Sequence, residues 1–298
     1  MVHRVHLGTP MRSAGYLVLG CLAACGADGT ASVDDVTPYE ETAPAYWCST
    51  VEPPVLQKME IETTVQRTQA QFPRAAKGAV IEVHVHVINT GPRIADGNVT
   101  DEQIARQVAV LNAAYESTGF AFHLATIDRT TSPTWFAMQD GTAAEHAAKA
   151  ALRKGTAREL DLYTAGLGAS SLGWASFPSQ VRADPIGDGV VMLYRALPGV
   201  ADGPYALGDQ TVHEVGHWLG LFHTYQPECR TANGDFVDDT PATDAPAFGC
   251  PIGRDTCGGG GDDAVRNYMD STDDACMNAF TPGQAARIRA QFDTFRAR

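Results

Sequence analysis

The sequence predicts a mixed α/β (α+β) domain: a twisted mixed sheet with helices against it, one helix carrying histidines, then an irregular cysteine-bearing segment ending in a helix. Three observations carry this. Between residues 79 and 194, segments of alternating apolar residues take turns with segments of helical periodicity. Residues 211–224 read Thr-Val-His-Glu-Val-Gly-His-Trp-Leu-Gly-Leu-Phe-His-Thr, an amphipathic helix that stops at a glycine. Residues 225–280 are rich in Gly, Asp, Pro and Cys and lack periodicity, so that segment needs staples rather than a core.

Taken in order, residues 79–89 place Ile81, Val83, Val85 and Val87 on one face and Glu82, His84 and His86 on the other, a half-buried strand. His84 and His86 are read as strand residues packed on one face rather than as a metal pair. Thr100 and Gln103 form a capping box that opens a helix with Ile104, Val108, Leu111 and Tyr115 on one stripe. Residues 120–127 read as a strand. Thr142 and Glu145 suggest a second capping box before an alanine-rich helix that ends near Gly155. Strands follow at about 159–164, 172–177 and 189–194. Thr281-Pro282-Gly283-Gln284 supplies an N-cap, a first-turn proline and a capping-box Gln for the last helix, which turns Ala285, Ile288 and Phe292 inward. There is no internal repeat.

Length and charge narrow the function. With 298 residues, 44% hydrophobic and 19% charged, the chain suits one folded domain preceded by a pro-segment. The formal charge is −13. Removing residues 1–24 takes away Arg4 and Arg12 and no acid, leaving −15, which argues against a nucleic-acid partner. Arg12 and the apolar run 14–24 read as an export signal too short to span a bilayer. The run ends Leu22-Ala23-Ala24-Cys25, which resembles a bacterial lipobox with Cys25 as the lipidated residue; Val18-Leu19-Gly20-Cys21 is a weaker second candidate. The expected division is a signal at 1–24, a tether and pro-segment at 25–77 with candidate processing at 74–77, and a catalytic domain at 78–298. That domain is expected to split at 223 into upper and lower subdomains. The product is an exported monomer, anchored to the cell envelope through lipid or released.

The motif in 211–224 fits H-E-x-x-H-x-x-G-x-x-H at every fixed position. Residues four apart share a helical face, so His213 and His217 aim at one point. Gly220 can take φ > 0 without a Cβ penalty, letting the chain turn and bring His223 back. Three neutral imidazoles leave one open position on a tetrahedral zinc ion, the arrangement of a catalytic site. Glu214, at the edge of that face, is placed to act as general base on a water there. The rival reading of Glu214, as a capping-box partner of Thr211, leaves the triple-histidine spacing unexplained.

With the downstream run Asn267-Tyr268-Met269-Asp270 and the segment Gly234-Asp235-Phe236-Val237-Asp238-Asp239-Thr240-Pro241, the sequence resembles the pappalysin family of metzincin zinc proteases over about residues 79–298. The resemblance implies a metzincin-type zincin fold and hydrolysis of protein or peptide substrates. It makes Met269 the Met-turn residue beneath the imidazoles, and it places calcium near Asp235, Asp238, Asp239 and Asp255. Many pappalysins carry a tyrosine two residues after this methionine, where it helps stabilise the tetrahedral intermediate. Here that residue is Ser271, so either turnover is weaker or other donors carry the oxyanion. Cys48-Ser49-Thr50 resembles the cysteine-switch motif of pappalysin pro-segments, with Ser49 where glycine is usual; a Cys48 thiolate at the open position would keep the zymogen silent. Cys229, Cys250, Cys257 and Cys276 suit two disulfides in any of three pairings, an exported chain disfavouring a cysteine-rich zinc site. The resemblance implies Cys229–Cys257 and Cys250–Cys276. The competing function is a catalytically weak or inactive surface-binding lipoprotein on the same fold, against which the intact Glu214 argues.

Overall fold

The computed structural model describes residues 47–73, 77–167, 170–229, 234–259 and 261–297. The export signal, Cys25, the tether and residues 74–76 of the processing stretch lie outside them. A six-stranded sheet has the order β1-β5-β6-β4-β2-β3, where β1 is Trp47–Cys48, β2 Val80–Asn89, β3 Ala121–Thr131, β4 Leu160–Ala165, β5 Ser171–Ala175 and β6 Val190–Leu193. All neighbours are parallel except β5 and β6, so the sheet is mixed. The helices are α1 (Val55–Gln71), α2 (Asp101–Tyr115), α3 (Pro133–Phe136), α4 (Ala143–Leu152), α5 (Asp209–Trp218) and α6 (Pro282–Phe295).

The alternation in β2 explains its position. Ile81, Val83, Val85 and Val87 are fully buried, and the strand is covered on both edges by β3 and β4. His86, on the opposite face, is buried as well. Its Nδ1 meets the Asp128 carboxylate at 3.0 Å and its Nε2 meets Asp161 at 2.9 Å, while His84 Nδ1 lies 2.9 Å from Thr126 Oγ1. Both histidines therefore serve the sheet.

Local capping follows the sequence at three helix starts, with one correction. Thr100–Gln103 and Thr281–Gln284 close both arms of the capping box. At α4 only one arm forms: Thr142 accepts from the Glu145 amide, but the Glu145 side chain turns to the Gly141 amide and the Trp174 indole. A buried indole N–H needs an acceptor, and that tertiary demand overrides the local motif. The short helix α3 and the two-residue strand β1 have no periodicity to announce them. Helix α1 runs through the expected pro-segment from Val55 to Gln71 and buries only Lys58, Ile61 and Val65.

The metal-motif helix α5 packs Val212 and Val215 into the core, with Leu219 at its C-cap beside them, all fully buried. Its start carries no local side-chain cap. Instead the Asp274 carboxylate, from the irregular segment, accepts from the amides of Leu207, Gly208 and Asp209 at 2.8, 3.0 and 3.3 Å. A carboxylate at a helix N-terminus satisfies orphan amides and meets the positive end of the dipole. The irregular segment holds two disulfides, Cys229–Cys257 and Cys250–Cys276, closing loops with separations of 28 and 26 residues. Loops of that size correspond to about 3–4 kcal/mol of stabilisation each.

Candidate active site

Helix α5 ends at Trp218, and Gly220 follows with φ +99°, a conformation that suits glycine. A Cβ there would also lie 2.7 Å from Gln291 Cγ of α6. The turn sends the chain back so that His223 meets the two helix histidines. The Nε2 atoms of His213, His217 and His223 stand 3.1, 3.2 and 3.2 Å from one another.

Each ring has its outer nitrogen engaged. His213 Nδ1 lies 2.7 Å from the Tyr268 carbonyl, His217 Nδ1 2.8 Å from the Leu221 carbonyl, and His223 Nδ1 2.8 Å from Glu52 Oε1. A nitrogen facing an acceptor carries the proton, so the three inner nitrogens present lone pairs to one another. Burial pushes His213 down to about 3 and His217 well below its usual range. Three converging lone pairs repel unless a cation sits among them. Tetrahedral zinc at ordinary Zn–N lengths places its nitrogens roughly 3.4 Å apart and a thiolate sulfur roughly 3.6 Å from each nitrogen. Cys48 Sγ lies 3.6 Å from His217 Nε2, and Cys48, His213, His217 and His223 are the one group among the described residues able to hold a metal ion. The donor set fits zinc.

Cys48 arrives from the N-terminal side on β1, which lies along β5: the Trp47 amide donates to the Ser170 carbonyl and the Ser49 amide to Gly173. Ser49, the departure from the usual glycine, gives its hydroxyl to Ser171 at 2.9 Å. Burial and then the Glu214 carboxylate push the Cys48 thiol up. A cation among the rings inverts that balance, because a coordinating thiol is deprotonated.

Glu214 is buried beside the cluster. Burial raises its carboxyl to about 7 against the lowering hydrogen bonds of Thr50 and Cys48. The Thr50 hydroxyl donates to Glu214 Oε2 at 2.6 Å and accepts from the Ala175 amide at 2.9 Å. Glu52 accepts from the His223 amide at 2.6 Å in addition to facing its ring. Burial would raise the Glu52 carboxyl, but His223 and then Lys58 outweigh it and hold it below the usual range. Thr50 and Glu52 were not legible from sequence: no spacing marks them, beyond their lying within four residues of Cys48.

Met269 is fully buried, and a Cβ on Gly216 of α5 would lie 2.4 Å from its sulfur, so the helix glycine lets the methionine approach the metal-motif helix. The turn is pinned from α6 by the Asn267–Gln284 amide pair at 2.8 and 3.0 Å. The aspartates of the irregular segment have chain partners. Asp235 accepts from the Val237 amide and the Thr240 hydroxyl, Asp239 from the Gly283 amide, and Asp255 from the Cys257 amide. With Asp238 they do not form a cluster of metal-ligand spacing among the described residues. Tyr225, two residues past His223, stacks on that ring with centroids 4.6 Å apart.

Comparison with known proteins gives the same direction. Residues 173–293 match the family model described as "Pregnancy-associated plasma protein-A" in the M43 peptidases. The chain is 37% identical over 253 residues to the extracellular metalloprotease 1 of Coccidioides posadasii, covering 84% of this chain and 90% of that one. It is 44% identical over 223 residues to an extracellular metalloprotease of Verticillium alfalfae, covering 73% and 77%. Among solved structures it is similar to mirolysin in complex with a small compound (TM-score 0.65, 31% identity, 73% of this chain and 93% of that one). It is also similar to a Tannerella forsythia promirolysin variant (TM-score 0.66, 27% identity, 84% and 94%).

Proposed function

Because the chain belongs to the pappalysin (M43) family of metzincin metalloproteases, we propose that it is an exported zinc endopeptidase made in latent form, with Glu214 as its general base. The convergence of three inner imidazole nitrogens beside the Glu214 carboxylate carries this reading.

His213, His217 and His223 would hold zinc, each oriented by the acceptor on its outer nitrogen. When bound, zinc supplies the Lewis acidity that polarises a scissile carbonyl and acidifies a water. Glu214 takes the proton of that water as its oxygen adds to the carbonyl carbon, then passes the proton to the departing amine nitrogen. Met269 supports the rings from below. Strand β5 offers the backbone edge now taken by β1, so an extended peptide can pair there once β1 leaves.

Latency is proposed to reside in residues 48–52. Cys48 would fill the position that the three histidines leave open, Thr50 occupies Glu214, and Glu52 grips His223. Processing near 74–77 would release them. A Cys48→Ala precursor is expected to hydrolyse a quenched peptide roughly tenfold or more faster than the unprocessed wild type, while staying below the processed enzyme, because Thr50 and Glu52 still hold. A Cys48→Ala precursor as silent as wild type removes Cys48 from the latency device.

The reading as a whole is tested by zinc removal. Processed protein should cleave casein, lose that activity in a zinc chelator, and regain it with one equivalent of zinc per chain. Cleavage that persists in metal-free protein refutes it. The export proposal, with relatives named extracellular, has Cys25 carrying lipid, and the intact mass of the cell-derived protein reports this directly. Calcium near Asp235, Asp238, Asp239 and Asp255 belongs to the same proposal as a structural ion of the irregular segment, and calorimetric titration of the zinc-loaded protein with calcium checks it.

A further inference from the structure

Ser271 stands two residues past Met269, with a hydroxyl too short to project far from the turn. Its Oγ donates to the phenol oxygen of Tyr225 at 3.2 Å. Tyr225 comes from a different part of the chain, just past the third histidine. Two further contacts fix it. Its ring lies over the His223 ring with planes 18° apart, and its backbone bridges to Thr243, with the neighbouring Gln226 amide donating to the Thr243 carbonyl at 2.7 Å. The Met-turn side of this pair reaches the metal cluster, because Ser271 lines one small cavity with Cys48 and His213.

We propose that the Tyr225 phenol is a catalytic residue, donating a hydrogen bond to the oxygen of the scissile carbonyl as that oxygen gains negative charge. The inference rests on the zinc-peptidase reading and deepens it. Hydrogen-bond inventory supplies the first argument. A phenol has one proton and two lone pairs. Ser271 fills a lone pair, and among the described residues no acceptor takes the phenol's own proton. That proton is available for a substrate oxygen. The second argument is rigidity. Stacking on His223 and the hydrogen bond from Ser271 hold the donor before substrate arrives, and a preorganised donor needs no reorganisation during reaction. The third is division of labour. The hydroxyl of Ser271 is spent on the phenol, so the two residues form a relay in which Ser271 polarises Tyr225 and Tyr225 faces the substrate.

In the step itself, the water oxygen bonds to the carbonyl carbon and its proton goes to Glu214. The carbonyl π pair moves onto oxygen, where the Tyr225 O–H donates without giving up its proton. The phenol supplies what a tyrosine on the Met-turn would supply, and it does so from a hydrogen bond's length of Ser271, the residue at that turn position.

The test is Tyr225→Phe, which keeps the ring and its stacking and removes only the hydroxyl. Full-length protein is processed, and three quantities are measured: kcat and KM on a quenched peptide, calorimetric affinity for a phosphinic peptide that mimics the charged tetrahedral species, and zinc per chain. We expect kcat to fall roughly a hundredfold with KM nearly unchanged, phosphinic affinity to weaken by a similar factor, and zinc content to stay at one. The double variant Tyr225→Phe/Ser271→Tyr should recover part of the lost kcat by restoring a phenol on the Met-turn. Unchanged kcat, or unchanged phosphinic affinity, overturns the proposal, as does a rate loss accounted for by lost zinc. A wild type that neither binds zinc nor cleaves peptide sinks the peptidase reading instead, so the two failures are distinguishable.

Discussion

Processed Glu214→Gln protein is expected to hydrolyse peptides between roughly a hundred and ten thousand times more slowly than the wild type, the range that a positioned general base contributes. The substitution is nearly isosteric, and Glu214 is not among the three imidazoles that face one another. Zinc content should therefore stay at one per chain, and affinity for a substrate-like inhibitor should change little. The combination is diagnostic. Loss of rate with retained metal assigns a proton-transfer role, whereas loss of metal would assign a structural one. Peptide-library products analysed by mass spectrometry give the comparison. A Glu214→Gln enzyme as fast as its parent refutes the assignment. The precursor should also show a change, since the Thr50 hydroxyl now donates to Glu214 Oε2 at 2.6 Å and would face an amide oxygen of weaker acceptor strength.

Arg296→Ala should lower stability by up to about 3–5 kcal/mol, the cost of breaking a buried pair by removing one member, with Arg153, 3.6 Å from Asp188, left to offset part of it. Near the C-terminal end of α6, the guanidinium is almost fully buried. It forms two 2.9 Å bonds to the two oxygens of Asp188, donates to the carbonyls of Trp218 and Ala157 at 3.0 Å each, and lies 3.7 Å from the centre of the Trp218 ring. Trp218 is the last residue of the metal-motif helix, so this one side chain ties α6 to the end of α5 and to the segment before β6. Burial alone would raise the Asp188 carboxyl, but Arg296 outweighs it and holds it below the usual range. A depressed carboxylate contributes stability above its unfolded pKa and loses it as pH falls through its folded one. The deficit of the variant should accordingly be largest near neutral pH and narrow in acid, where Asp188 protonates in both proteins. In thermal unfolding the loss corresponds to roughly 6–20 °C near neutral pH. Arg296→Lys should recover only part of it, because a point charge does not replace the two-pronged pairing. An Arg296→Ala melting curve that overlays the wild type would show that the pair is energetically idle.

The residues that converge at the cluster also separate into those a local rule can find and those it cannot. His213 and His217 are four apart on a helix, and Gly220 marks the turn that returns His223; each statement concerns neighbours within a dozen residues. The chain-order expectation of helices alternating with strands is likewise local, and the mixed sheet follows it. The Thr142 capping box shows where a local rule fails: Glu145 was drawn off by a buried indole 29 residues away.

By itself the sequence determined the fold class, the helix that carries the histidines, the spacing that lets three of them meet, and the family to which the chain belongs. Periodicity, glycine and the repeat of the α-helix set the first three, all short-range matters, while the family rests on the likeness of the histidine motif, Asn267–Asp270 and Gly234–Pro241 to the family's own. Only the tertiary structure decided what surrounds the cluster. It laid Trp47–Ser49 along β5, gave Thr50 to Glu214 and Glu52 to His223, set Asp274 at the start of α5, and brought Tyr225 to Ser271 across 46 residues. The physical reason is that a buried donor or acceptor must find a partner wherever the packed chain supplies one, and packing joins residues whose separation along the chain carries no periodic signal.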